Sequence, residues 1–293
     1  MKLGVLINAH MVQERHSEFL GQIEKHFADA GVPVIAVAAR STELTETARG
    51  LLKESCDGLA AGGGDGTLST VADLCAREGV PLGVLPLGTH NHFARDAGLP
   101  LELEQSIRCV ARGVTRRVDL GMVNGCYFIN NSSIGAYPRA VEERQRLREQ
   151  FSLRKKAAGA VAILRVFAKQ SEIDARVEID GVEIERRGPF VFVGNNEYTV
   201  NFFAPQLRRS LDSGQLCVYT ARCNGVTGLL RLCWRAMWGR LEHADGFEKK
   251  FGRTIIIRVP REEVRVSKDG EVLRMRTPLE YQIAPLALEI FSS

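Results

Sequence analysis

One stretch decides the fold: Ala60–Thr67, which reads AAGGGDGT and lies where an apolar strand pattern ends and a helical pattern begins. Its glycines tolerate positive φ and carry no Cβ, so their backbone N–H groups can approach phosphate oxygens closely. The N-terminus of the following helix adds the positive end of its dipole. The stretch therefore predicts a polyphosphate-binding loop. The alternative is a tight turn that needs glycine only for its geometry.

The spacing of these glycines matches neither G-x-G-x-x-G nor G-x-x-x-x-G-K-[ST], which disfavours both the dinucleotide fingerprint and the Walker loop. A second loop, Leu85–Arg95 (LPLGTHNHFAR), follows the next apolar strand and also opens a helix. Successive loops at the carboxyl edge of a parallel sheet meet in one crevice, where ligands bind. The two loops are therefore expected to form one site.

The pattern around these loops alternates short apolar strands with helical segments, as βαβ units do. Strands are predicted at 3–8, 34–38, 58–61 and 82–85, and helices through Phe19–Phe27, near Leu44–Leu52 and from Thr67. We therefore expect residues 1–125 to form a Rossmann-like α/β domain with a mostly parallel sheet. Asp119 is expected at the end of its last strand, either as an active-site or interdomain carboxylate or as a turn or cap residue.

The pattern beyond Asp119 is typical of hairpins. Two-residue turn sequences separate apolar or alternating runs at Asn124-Gly125, Asp180-Gly181 and Asp269-Gly270. Residues 126–285 are therefore expected to form a largely antiparallel β domain.

Helical patterns interrupt this second domain at about Arg139–Lys169 and Val226–Arg240. The final apolar run, Leu286–Phe291, predicts a last strand. Residues 286–293 are thus treated as a C-terminal segment, with a return to the first domain as one open arrangement.

The bulk composition limits the class of partner. A formal net charge of +4 over 293 residues is too small to indicate a nucleic acid. The seven cysteines are scattered without a CxxC pair and no secretory signal precedes them, so reduced thiols in a cytoplasm are expected. The apolar runs are far shorter than the roughly 20 residues of a spanning helix. Any membrane contact is therefore expected to be peripheral, at the inner membrane face.

The two loops belong to a longer series of motifs. These are GGDGT at Gly63–Thr67, PLGTxNxFAR at Pro86–Arg95, VDLG at Val118–Gly121, NGxYFIN at Asn124–Asn130 and DGE at Asp269–Glu271. The series resembles the diacylglycerol kinase catalytic domain family, which also holds sphingosine kinases and bacterial soluble lipid kinases. The resemblance implies an α/β nucleotide-binding domain joined to an antiparallel β-sandwich, with the active site in the cleft between them. It also implies transfer of the γ-phosphate of ATP to the hydroxyl of diacylglycerol or a related lipid alcohol.

The same resemblance implies roles for single residues. Glu271 matches the general base of the family, and Asp65 is the second catalytic residue, close to the phosphates and Mg²⁺. The residues implied in ATP binding are Asn8, Gly62, Gly63, Gly64, Asp65, Gly66, Thr67, Gly88, Thr89 and Asn91. Asp212 is the one carboxylate left of a paired acidic segment that would hold a structural Mg²⁺. Many family members have Asp where this chain has His92, which leaves its use of Mg²⁺ open.

Two other functions remain open. NAD kinase shares the Gly-Gly-Asp-Gly loop and the two-domain plan, but the loop after Pro86 favours the lipid kinases. A catalytically silent nucleotide-binding or lipid-binding protein is the second alternative, motivated by His92 and by an altered loop after Asn8. The presence of Glu271 counts against it, because a disused site has no need of a base.

A lipid kinase must reach a lipid substrate at a membrane surface. Leu229–Arg240 places Trp234 and Trp238 among arginines, which suits a headgroup interface, although we favour an ordinary helix that packs its apolar face on the second domain. Few aromatic residues lie among the basic residues of Arg139–Lys169, so no nucleic-acid partner is expected. A homodimer is left open.

Overall fold

The computed structural model describes residues 1–12, 16–135, 138, 173–198, 208–221 and 246–292. The helices predicted at Arg139–Lys169 and Val226–Arg240, with the segment Leu229–Arg240, lie outside these described residues. In the part of the chain that is described, no helix is long and apolar enough to cross a membrane.

The elements of the described residues follow in chain order. They are β1 Leu3–Asn8, a 3₁₀ turn Ala9–Met11, α1 His16–Asp29, β2 Val34–Ala39, α2 Leu44–Lys53, β3 Gly58–Gly63, α3 Asp65–Glu78, β4 Leu82–Pro86, α4 His92–Asp96, α5 Leu103–Ala111, β5 Thr115–Val123, β6 Cys126–Phe128, β7 Asn131–Gly135, β8 Ile173–Ile179, β9 Val182–Gly188, β10 Phe190–Asn195, β11 Leu216–Ala221, β12 Phe247–Gly252, β13 Thr254–Arg258, β14 Glu263–Lys268, β15 Glu271–Arg276 and β16 Leu279–Phe291.

The first part of the chain forms a three-layer α/β domain. Its strands pair in parallel in the order β2-β1-β3-β4. Strands β1 and β3 are buried on both faces because LGVLIN and GLAAGG present small or apolar side chains to a helix layer on each side. Helices α1 and α5 pack on one face, and α2 and α3 on the other. The predicted Rossmann-like domain is confirmed.

The order of these strands locates a binding crevice. The chain passes from β1 outward to β2 and then crosses back to β3 on the other side of β1. In open α/β sheets, ligands bind at the carboxyl ends of the strands where the order reverses in this way. Strands β1 and β3 end there at Asn8 and Gly63.

The second part of the chain forms the predicted antiparallel β-sandwich. One layer contains β16, β13, β8 and β9 with β5 and β6, and the other is a six-stranded sheet in the order β12-β11-β10-β7-β14-β15. Apolar side chains of both layers meet in a common core, including Phe128, Ile134, Val177, Val193, Ile255 and Val266. The first layer is continuous with the parallel sheet through β16, so the two domains share one ten-stranded sheet.

The three predicted two-residue turns are all present. They join β5 to β6, β8 to β9 and β14 to β15. Asn124, Asp180 and Asp269 have φ of 45°, 48° and 48°, and the glycine after each also has positive φ. Two consecutive residues in this region make a type I′ turn, whose twist matches that of the flanking strands. Asn and Asp tolerate the conformation better than other non-glycine residues, which explains the sequence.

Strand β16 connects the two domains. Its first half pairs with β13, and near its end Ile290 pairs with Leu82 of β4. Its register against β5 shifts between Ala284 and Leu288. The buried carboxylate of Asp119 accepts hydrogen bonds there from the backbone N–H groups of Leu286, at 2.9 Å, and Gly214, at 2.7 Å.

The position of Asp119 corrects the expectation from sequence. It lies in the middle of β5 and not at a strand end, because pairing with β6 and β16 extends β5 to Val123. Its carboxylate ties three backbone segments together at the junction between the domains. The contacts are those of an interdomain carboxylate and not of a turn or cap residue.

Candidate active site

The Gly-rich loop connects β3 to α3. Strand β3 runs through Gly63, Gly64 is the N-cap, and α3 begins at Asp65, two residues before the predicted start at Thr67. The amide groups of a first helical turn have no acceptor within the helix, and Gly64 has no side chain to cap them. They are therefore available to an anion. A Cβ built on Gly63 would lie 2.6 Å from Thr67 Oγ1, so glycine is required here for close packing.

The second loop lies directly against the first. A Cβ built on Gly88 would stand 2.6 Å from the Cα of Gly64. Because that neighbour is backbone, a side chain at position 88 would push the two loops apart. Thr89 and His90 are exposed at the tip of this loop.

Asn91 shapes the second loop. It has φ of 50°, and its Oδ1 accepts a hydrogen bond from the backbone N–H of Gly88 at 2.9 Å. Its Nδ2 donates to the carbonyl oxygens of Pro86, at 3.2 Å, and Gly88, at 2.9 Å. The side chain is buried and engaged with its own loop. Its contribution to a nucleotide site would therefore be the loop conformation that it holds.

Asp65 ties the two loops together. Its Oδ2 accepts a hydrogen bond from the backbone N–H of His92 at 3.2 Å, and its Oδ1 accepts one from that of Phe93 at 3.0 Å. These amides form the first turn of α4, so Asp65 caps that helix from the neighbouring loop. The rings of His90 and His92 stack on each other, with centroids 5.3 Å apart and planes 5° from parallel.

Asn8 joins the end of β1 to the same loops. Its Nδ2 donates to Thr67 Oγ1 at 2.8 Å and to Ser41 Oγ at 3.3 Å, and its Oδ1 accepts from the backbone N–H of His10 at 3.0 Å. The structure thus brings Asn8, Gly62–Thr67 and Gly88–Asn91 together at the switch point of the sheet.

Glu271 reaches this site from the β-sandwich domain. It is the first residue of β15, after the turn at Asp269-Gly270, and its Oε1 lies 3.3 Å from where a Cβ on Gly66 would stand. Although the residue as a whole is exposed, desolvation of its carboxyl group raises the pKa of Glu271, and the charge of Asp269 adds to this while that of Lys268 opposes it. A carboxylate of raised pKa beside the uncapped N-terminus of α3 can serve as a proton acceptor.

Asp269 has a second function that the sequence did not indicate. Its buried carboxylate accepts hydrogen bonds from the backbone N–H groups of Ile129, Asn130 and Asn131, at 2.9, 2.7 and 3.0 Å, and from the hydroxyl of Ser69 on α3. Burial raises the pKa of Asp269, while the hydrogen bond from Ser69, the charge of Lys268 and the amides of Ile129 and Asn130 oppose that rise. The sequence indicated Asp269 only as a turn residue and as part of the DGE motif.

A buried ion pair forms a further contact between the domains. Arg208 Nε lies 2.7 Å from Asp96 Oδ2, and the two side chains are 0% and 1% exposed. The same guanidinium donates to the carbonyl oxygen of Ile129 at 2.6 Å. It fixes the end of α4 to the β-sandwich domain. The sequence prediction missed this pair, because the partners lie more than 100 positions apart.

None of the contacts described for Asp212 involves the two loops. It is exposed, and one carboxylate oxygen accepts a hydrogen bond from the hydroxyl of Ser210. Among the described residues, no group of three or more His, Cys, Asp or Glu side chains could hold a metal ion. A structural Mg²⁺ at Asp212 stays a prediction.

Comparisons with known proteins agree with this architecture. The family described as diacylglycerol kinase catalytic domain matches residues 2–123, and the YegS C-terminal NAD kinase beta sandwich-like domain matches residues 133–292. A Pseudomonas aeruginosa protein named "Probable lipid kinase YegS-like" is 32% identical over 249 residues, which cover 79% of this chain and 75% of that protein. A Bacillus subtilis diacylglycerol kinase is 35% identical over 130 residues, or 43% of each chain.

A solved structure supports the fold independently. The crystal structure of a diacylglycerol kinase from Bacillus anthracis superposes with a TM-score of 0.71 at 17% identity, covering 100% of this chain and 97% of that one. The chain spans 66% and 75% of the length of the first two curated relatives that it matches.

Proposed function

Because the chain belongs to the diacylglycerol kinase catalytic domain family and carries the YegS-type C-terminal β-sandwich, we propose that it transfers the γ-phosphate of ATP to the hydroxyl group of diacylglycerol or a related lipid alcohol. One observation carries the proposal above all others. The carboxylate of Glu271, which comes from one domain, lies beside Gly66 in the anion-binding loop of the other.

The two loops are the proposed site of the nucleotide phosphates. The first-turn amides of α3 carry partial positive charge, and the glycines around them leave the backbone uncovered. Gly63–Thr67 would hold the phosphates, with Gly88 and Thr89 closing the other side. Asn8 and Asn91 would contribute by holding Thr67 and the second loop in place.

Asp65 is the proposed protein ligand of Mg²⁺. Mg²⁺ commonly binds through one or two carboxylates together with the phosphates of a nucleotide, so a single carboxylate at the loop is compatible with it. When bound, the ion would neutralise charge on the phosphate oxygens during transfer. Asp65 would then bind Mg²⁺ and also cap α4, as its two oxygens already do.

Glu271 is the proposed general base. Its carboxylate takes the proton of the acceptor hydroxyl while that oxygen forms a bond to the γ-phosphorus, and the bond from phosphorus to the β-phosphate oxygen breaks to release ADP. The raised pKa of Glu271 strengthens it as a proton acceptor. Phosphoryl transfer depends mainly on positioning and charge neutralisation, so one well-placed base is sufficient chemistry for the protein to supply.

The polar part of the acceptor would contact three buried atoms near the Glu271 turn. Ser133 and Ser267 face each other across β7 and β14, and within the described residues their hydroxyls and Asn131 Oδ1 have no hydrogen-bond partner. An unsatisfied buried polar group costs about 1–3 kcal/mol. A hydroxyl or ester group of a bound lipid would offset that cost.

We propose that the acceptor arrives from a membrane surface, with the protein on its cytoplasmic side.

The experiment is transfer of labelled γ-phosphate from ATP and Mg²⁺ to diacylglycerol and to a total lipid extract in mixed micelles, with NAD in parallel. Label in a lipid supports the proposal. Label in NADP alone would favour an NAD kinase, the activity named in the description of the matching sandwich domain. ATP binding without transfer to either would favour a silent binding protein.

A further inference from the structure

The placement of Glu271 is the feature that needs explaining. In the described part of the chain, its carboxylate makes no hydrogen bond or ion pair, so its position depends strongly on the backbone that carries it. That backbone is fixed by the type I′ turn and by the pairing of Glu271 with Lys268. The Gly-rich loop belongs to the other domain, so a separate contact must set the distance between the two.

Asp269 supplies that contact at the first position of the turn. Three of its hydrogen bonds come from backbone N–H groups of Ile129–Asn131, where β6 leads into β7. The fourth comes from Ser69, which is buried on α3 one helical turn after Gly66. Because a helix is rigid over one turn, the position of Ser69 is fixed relative to the Gly-rich loop.

We propose that the Ser69–Asp269 hydrogen bond is a positioning link that sets the Glu271 carboxylate against the Gly-rich loop. The inference rests on the proposed kinase function. Asp269 and Ser69 are positioning residues, because they act through Glu271 and through α3 and touch no reacting atom. Without the Ser69 hydroxyl, the three backbone donors still hold the turn, but the hydrogen bond that links the turn to α3 and the Gly-rich loop is lost.

Ser69→Ala is the test. A misplacement of about 1 Å can cost on the order of 100-fold in rate, and a partly retained turn is expected to cost about 10-fold in kcat. The KM for ATP should stay within about twofold, because the loop that would bind the phosphates is unchanged and uniform binding is not lost. If the Ser69 hydroxyl served only stability, its loss would not lower kcat while leaving the KM for ATP unchanged.

Ser106→Ala is the matched control. Ser106 is also a buried helical serine of the α/β domain, and its hydroxyl bonds only to backbone carbonyls, those of Glu102 and of Pro100, the latter at 3.3 Å. Its loss should lower the midpoint of thermal unfolding and leave kcat unchanged. Equal kcat for Ser69→Ala and Ser106→Ala, or a rise in KM for ATP as large as the fall in kcat, would overturn the proposal.

Thermal unfolding tests the link without any activity. Ser69→Ala and Asp269→Asn share one hydrogen bond, so their shifts in unfolding midpoint should be non-additive in the double variant. Additive shifts would show that no such bond couples the domains. If wild-type protein labels no lipid, the proposed function fails, while the coupling in unfolding still decides whether the link exists.

Discussion

The Gly-rich loop at Gly62–Thr67 and the turn at Asp269–Glu271 lie side by side, but different kinds of contact hold them. Much of the loop follows from nearby sequence: glycines at the end of β3, a helix that begins at Asp65, and close packing of Gly63 on Thr67. Its further partners, Asn8 and the first turn of α4, belong to the same α/β domain.

The turn depends on contacts across the whole chain. Asp269 binds Ser69, which lies 200 positions earlier, and the backbone of Ile129–Asn131, about 140 positions earlier. The described partners of the Gly-rich loop thus lie mainly within the α/β domain, whereas Glu271 reaches the loop only when both domains are assembled. Changes in the loop should weaken nucleotide binding, and changes in the turn should slow transfer.

Glu271→Gln is expected to give the largest effect on the turn side. Loss of a general base typically costs between about 100-fold and 10,000-fold, so kcat should fall by about 1,000-fold. ATP affinity should stay nearly unchanged, since glutamine preserves the shape of the side chain. The measurement is kcat in the micelle assay together with the dissociation constant of ATP.

Glu263→Gln is the control for this variant. Glu263 is an exposed carboxylate on β14, the partner strand of the same hairpin, and it pairs with Arg276 at the far end from the turn. It should transfer phosphate at the wild-type rate. Equal losses of ATP affinity and of transfer in Glu271→Gln would refute its assignment as base.

Gly88→Ala is the matching change on the loop side. The new methyl group would meet the backbone of Gly64 at 2.6 Å, so the two loops must separate. ATP affinity should fall by at least roughly tenfold, or about 1.4 kcal/mol, with a smaller change in kcat at saturating ATP. Calorimetric titration with ATP measures it.

Gly50→Ala is the control for that change. Gly50 lies in α2, where a Cβ would meet nothing within 4 Å, and alanine is the better helix former. ATP affinity should therefore be unchanged and the protein slightly more stable. Unaltered ATP binding in Gly88→Ala would show that close contact between the loops is not required for the nucleotide.

The same contrast explains which parts of the molecule the sequence could predict. The four parallel strands, the three type I′ turns and the convergence of the two loops follow from local periodicity and from residues that accept positive φ. The start of α3 was predicted two residues late, because Gly64 offers no capping side chain to mark it. These features need only neighbouring residues.

The contacts between the domains could not be predicted in the same way. Nothing in the sequence distinguishes Ser69 from an ordinary helical serine, or Asp96 and Arg208 from exposed charges, until the fold buries them. Such pairings need three-dimensional proximity, which periodicity does not encode.

Lys268→Met should change the pH dependence of transfer. The charge of Lys268 lowers the pKa of Glu271, so its removal should raise that pKa further. The base works when deprotonated, and activity is lost as the pH falls through its pKa. The acidic limb of the kcat profile should therefore move to higher pH.

The control for the pH profile is Lys250→Met on β12, a lysine at the far edge of the same sheet. It should leave the limb where it is in the wild-type protein. A limb that stays fixed in Lys268→Met, or moves to lower pH, would mean that another group limits the rate at acid pH.

His92→Asp is expected to have the smallest effect. It tests whether a carboxylate at position 92 contributes to Mg²⁺ binding beside Asp65. The backbone N–H of His92 bonds to Asp65, so a carboxylate at this position would lie in the turn next to the proposed Mg²⁺ ligand. If it joins Asp65, half-maximal activity should need about two- to threefold less Mg²⁺, a modest change because the ion keeps several waters and gains only one carboxylate. His90→Asn is the comparison, because it removes the ring stacked on His92 without adding a charge and should leave the Mg²⁺ titration unchanged. Identical titrations for all three proteins would place His92 outside the metal network and leave Asp65 as the carboxylate that the loop side contributes.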